Sequence, residues 1–96
     1  MLVAGTYQFV EGVDQKAGLK RFQAWQPPAG FTFQGHWTTA DGMGGMFIAE
    51  VDNAAAAFEA SATFADQAEF QMVPVLDVME SLPISARVYD WIDSIS

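Results

Sequence analysis

The chain has no cysteine, which excludes a disulfide framework and any thiolate metal site. Bases are almost as scarce, four against twelve acids in 96 residues, for a formal net charge of −8. That charge repels phosphate backbones and anionic headgroups, so no nucleic-acid partner and no membrane partner is expected. Its plainest consequence is solubility. Three of the four bases, Lys16, Lys20 and Arg21, share one short segment, and none falls between Phe22 and Ala86. No apolar run approaches the roughly 20 residues needed to cross a bilayer. Met1 to Gly5 carries no positive charge and its apolar stretch stops at Thr6, so no signal peptide is expected, and cytoplasmic residence follows.

What is present is apolar. The hydrophobic fraction is 51% and includes eight Phe and three Trp, enough for a core in one domain spanning residues 1–96. A domain this small buries a modest share of its surface, so tight packing or self-association is expected to support it.

Residues 2–10, rich in Val, Tyr and Phe, read as a first strand. Asp14 is placed to cap a helix to about Trp25, with Gly18, Leu19, Phe22 and Trp25 as its apolar stripe. Pro27-Pro28-Ala29-Gly30 breaks it. From Phe31 to Thr39 apolar and polar residues alternate with the period of a half-buried strand. Asp41-Gly42 and a second alternating run, Met46 to Val51, predict a β-hairpin. Asp52-Asn53 predict a helix cap, and the alanine-rich segment to about Ala65 has Phe58, Ala62 and Ala65 as its apparent apolar stripe. Glu69 to Leu76 is a fourth strand whose Pro74 marks a sheet edge or strand end. Beyond Pro83, Ile84, Val88, Trp91, Ile92 and Ile95 predict an amphipathic C-terminal helix over about 83–95.

The order β-α-β-β-α-β is that of an α+β ferredoxin-like plait, a four-stranded antiparallel sheet with two helices on one face. The other face is left bare. Bare apolar sheet faces are rare in water, so the order predicts either a homodimer closed sheet to sheet or a C-terminal helix over that face.

The segments MLVAGTYQF, PPAGF, GHWTTADGMGGMFIAEVDN and FQMVPVLD resemble the family known as domain of unknown function 3303. The resemblance covers roughly residues 1–80 and leaves out the tail after Pro83. It implies the dimeric α/β-barrel arrangement, in which two ferredoxin-like subunits stack their sheets. It implies no activity, because the family has no established reaction. The wider barrel group includes cofactor-free monooxygenases, isomerases and haem-linked enzymes, a likeness of fold alone.

His36, the single histidine, is the one side chain that titrates near neutrality without perturbation. Its company depends on the hairpin loop. An even loop pairs Thr39 with Gly44 and sets Glu50 on the face opposite His36. A three-residue loop, Ala40-Asp41-Gly42, pairs Thr39 with Met43. It also puts Phe31, Phe33 and Trp37 on one apolar face with Phe47, Ala49 and Val51. The consistency of that face favours the three-residue loop. The open face would then carry Thr6, Gln8, Thr32, Gln34, His36, Met46, Ile48 and Glu50. Of these His36, Gln34, Glu50 and Thr6 are the candidate binding residues, with His36 the sole candidate acid or base.

Other chemistries lack support. His36, Asp41 and Glu50 have no second histidine and no regular ligand spacing, so no metal is expected. No other cofactor is indicated. The glycines at 42, 44 and 45 join two strands and open no helix, unlike a phosphate loop. Two functions follow: a dimeric module that binds a small apolar or amphipathic molecule or simply assembles, or a cofactor-independent enzyme, monooxygenase- or isomerase-like, using His36. The single polar group of substance favours the first.

Overall fold

The computed structural model describes all of residues 1–96. Its elements run β1 (Leu2–Phe9), α1 (Gln15–Ala24), β2 (Phe31–Thr38), β3 (Gly44–Val51), α2 (Ala54–Ala62), β4 (Ala68–Pro74) and α3 (Val78–Ile95). The strands form one antiparallel sheet in the order β2-β3-β1-β4. With α1 and α2 on one face, this is the ferredoxin-like plait with an added C-terminal helix.

Each helix begins where a short side chain can satisfy its free N–H groups. Asp14 accepts from Ala17 N–H at 3.0 Å, Asn53 from Ala56 N–H at 2.9 Å and Asp77 from Met79 N–H at 2.8 Å. Pro74 ends β4, itself an edge strand, as its missing donor requires.

The core lies between α2 and the middle of the sheet. Val3, Phe47, Ala49 and Val51 from β1 and β3 meet Ala56 and Ala60. The stripe of α2 is therefore out of phase with the sequence reading. Ala56 and Ala60, four apart, face the sheet, and Phe58 points away at 73% exposure. Methyl groups at the contact let the helix lie close, and a Phe there would hold it off. The ring of Phe47 lies over Gly5, filling the space a side chain at Gly5 would take.

α3 departs from the sequence reading in start and in position. Its cap is Asp77, and Pro83 lies inside it, costing only the bond to the Met79 carbonyl. It covers neither face of the sheet and buries none of its residues. The radius of gyration is 17.5 Å, against about 12–13 Å for a compact chain of this length. The eighteen-residue helix accounts for the excess, being roughly 27 Å long at 1.5 Å per residue. The open face is thus left without an intramolecular cover.

Gly5→Ala is expected to destabilise the fold by about 1–3 kcal/mol, since the new methyl would displace the Phe47 ring from the core. Urea denaturation measures it. An unchanged midpoint would mean that Phe47 does not depend on that gap.

Candidate functional site

The β2–β3 hairpin decides which side chains meet. Thr39 N–H donates to the Gly44 carbonyl at 2.9 Å, and Thr38 lies opposite Gly45, so the loop has four residues, Ala40–Met43. Gly42 takes a φ of +74°, and Asp41 accepts from Thr39 Oγ1 at 2.6 Å and Met43 N–H at 2.9 Å. These bonds, the Thr39 hydroxyl first, hold the Asp41 carboxyl below its ordinary range. The expected three-residue loop is therefore replaced by an even one.

An even loop alone would have put Phe33 on the wrong face. A β-bulge prevents this. Phe33 pairs with Ala49 and Gly35 with Ile48, leaving Gln34 as an extra residue in β2. The alternation flips there. Thr32 still faces Glu50, and Phe31 and Phe33 still face the helices, as the sequence reading expects. Beyond the bulge His36 pairs with Phe47 and turns to the helix side, and Trp37 pairs with Met46 on the open face. The predicted open-face group is thus divided. Thr6 and Glu50 stand on the open face, where Glu50 binds the Met1 amino group. Gln34 lies in the bulge, and His36 is on the other side of the sheet.

There His36 meets a residue absent from the sequence reading. Tyr7 on β1 reaches across β3, and its hydroxyl lies 2.7 Å from His36 Nε2. The residue of β3 between them is Gly45, and a side chain there would occupy the position of the phenol oxygen. A glycine opposite an aromatic was the available signal, but it becomes visible only once the strand pairing is known.

His36 stacks on Phe33, with ring centres 4.9 Å apart and planes within 7°, and the edges of Phe22 and Phe47 complete the surround. Its remaining side is open to a cavity of about 750 Å³ between α1 and the sheet. The walls are mostly apolar and rich in aromatic rings, among them Phe9, Phe22, Trp25, Phe64 and Phe70. α1 is moored along one edge, where Arg21 pairs with both oxygens of Asp66 (2.7 and 3.1 Å) and donates to the Thr63 carbonyl. It buries no residue of its own, so Leu19 and Phe22 remain half open above the cavity.

Loss of water among these rings lowers the His36 pKa below 6.5 and raises that of Tyr7 above 10. Both groups are neutral at pH 7. Together they form a hydrogen-bonding pair able to donate and accept in a wall that is mostly apolar. His36, Asp41 and Glu50 lie on the helix face, the hairpin tip and the open face respectively, and no cluster of three His, Asp or Glu forms.

The lowered His36 pKa makes stability pH-dependent. As pH falls below about 6.5 the unfolded chain takes the proton first, so stability declines until pH passes the folded value. His36→Gln is expected to flatten this part of the curve between about pH 7 and 5. Chemical denaturation across that range measures it, and an equal decline in the variant would assign the loss to other groups.

No curated protein and no solved structure matches the chain. A match to a family model runs past residue 80 and takes in most of α3, so the tail after Pro83 is part of the family pattern as far as residue 89. That family is described as a domain of unknown function (DUF3303), its model matches residues 1–89, and the chain belongs to it.

Proposed function

We propose that this domain binds a small, largely aromatic or apolar molecule in the cavity between α1 and the sheet. The observation that carries this reading is the cavity itself, about 750 Å³ of aromatic-walled space into which the Tyr7–His36 pair projects. Ligand sites are commonly about 300–1,000 Å³, mostly apolar, with a few polar groups that fix orientation. The ligand's apolar body lies among the rings and one polar atom exchanges hydrogen bonds with Tyr7 or His36. This moves the expected binding place from between two stacked sheets to the opposite face of each sheet.

A cofactor-independent enzyme is the second reading, favoured by the 2.7 Å contact between Tyr7 and His36. His36, neutral at pH 7, would be the base and the phenol its relay. Binding comes first because neither Tyr7 nor His36 hydrogen-bonds to a third side chain that could orient it for proton transfer.

We also infer that two copies associate through the open sheet face in a cytoplasmic homodimer. Trp37, Met46 and Val73 are exposed on that face with Ile48 between them, and α3 does not cover them. Large apolar sheet faces are rarely left in water and commonly mark interaction surfaces.

2-Naphthol, an aromatic body with one hydroxyl, is expected to bind saturably at one site per chain. The double variant Tyr7→Phe, His36→Phe should weaken it about five- to tenfold and leave naphthalene unaffected, the loss of one or two hydrogen bonds. Absence of saturable binding, or equal losses for both probes, overturns the reading. For the dimer, sedimentation velocity at micromolar concentration should give twice the chain mass, with Met46→Lys shifting it to monomer. A monomeric wild type would sink the inference.

A further inference from the structure

The cavity wall is electrically unlike the rest of the molecule. Acids make up 12 of the 96 residues, yet none of the 26 residues lining the cavity is Asp or Glu. One of the four bases, Lys16, is among them. Lys16 stands on the first turn of α1 beside Gln15, whose side-chain amide approaches the Gly42 carbonyl (3.4 Å) across the cavity rim. Its ammonium group has no carboxylate within salt-bridge distance, since the two ion pairs in the chain are Met1–Glu50 and Arg21–Asp66.

Five acids flank the wall in the chain, Asp14, Asp41, Glu59, Asp66 and Glu69, yet none lines it, and Asp66 is paired with Arg21. Asp14, next to Gln15, folds back to cap α1 on Ala17 N–H. Asp41, between Ala40 and Gly42, is held inside the hairpin loop by Thr39 and Met43. Both carboxylates are engaged by local hydrogen-bond donors, and neither pairs with Lys16. The rim therefore presents an unpaired cation beside a carboxylate-free apolar slot, in a molecule whose net charge is −8. The distant acids oppose an anion only weakly at ordinary salt, because their field is screened over about 8–10 Å.

Building on the binding function proposed above, we propose that the preferred ligands are amphipathic organic anions. Their aromatic or apolar body fills the cavity, a hydroxyl or carbonyl meets Tyr7 and His36, and a carboxylate or similar anionic group remains at the rim on Lys16. An acid with its polar groups at opposite ends of a flat ring system fits this arrangement. The charged end keeps its water at the rim, which avoids the cost of burying it.

The test uses 6-hydroxy-2-naphthoate and its neutral isostere, the 6-hydroxy-2-naphthamide, titrated against the full chain. The carboxylate is expected to bind about three- to fivefold more tightly, the worth of one exposed ion pair, and less so in high salt. Lys16→Gln, an exposed substitution between good helix formers, should abolish the preference. Lys20→Gln, one turn along and outside the cavity wall, should keep it. If the amide binds as well as the acid, or the preference survives Lys16→Gln, the anion assignment is overturned while 2-naphthol binding leaves the cavity reading standing. If none of the three probes binds, both fall together.

Discussion

The arrangement of this molecule depends on one additional residue in β2. A strand presents its side chains to alternate faces, so a single insertion reverses every position beyond it. At Gln34 the reversal lets the hairpin close with an even loop at Thr39 and Gly44 and still bury Phe31 and Phe33. It also turns the His36 ring toward the cavity and the Trp37 indole to the open face. Gly35 belongs to the same device, since its missing side chain leaves room for the Trp37 indole to fold over it. Without the bulge, either two phenylalanines would leave the core or the histidine would leave the cavity.

A second constraint is steric. Glycines in the sheet create space that rings from neighbouring positions occupy, Phe47 over Gly5 and Tyr7 past Gly45. The first builds core and the second builds the site. The Tyr7–His36 contact crosses an intervening strand, and only a residue without a side chain permits such a span. The same face therefore changes along its length from packed core beneath α2 to an open hollow rich in aromatic rings beneath α1. The core proper is small, with Ala and Val prominent in it. Any molecule that fills the hollow and binds only the folded chain adds to a limited native stability by mass action.

Two apolar surfaces have no partner within the chain, the open sheet face and the exposed stripe of α3 with Val88, Trp91 and Ile95. A short connection, residues 75–77, separates α3 from the sheet in the chain, and the helix does not pack on the sheet. Cavity and open face are separated by the thickness of one sheet. Association through the open face would leave the cavity mouth and Lys16 accessible, so assembly and binding can coexist.

Much of the fold was legible in the sequence because its signals are local. Asp14 and Asn53 cap helices by bonding to a backbone three residues on, Pro74 ends a strand by lacking a donor, and Asp41-Gly42 turns because glycine accepts a positive φ. These energies are settled within a few residues, and the element order β-α-β-β-α-β follows from them. The phase of α2 was missed because its alanines offer almost no contrast between faces, and only the sheet they approach distinguishes Ala56 from Phe58. The start of α3 was missed because Pro83 reads as a boundary, although Asp77 caps the helix ahead of it. The site was the least legible. Gly35 within an alternating run was a signal for a bulge, but whether the chain inserts a residue depends on the balance between loop geometry and burial of aromatics on a partner strand. The sequence by itself determined the plait and the identity of the one titrating group. The tertiary structure alone decided which face holds His36, because side-chain parity is set by strand pairing and no local stretch contains that information.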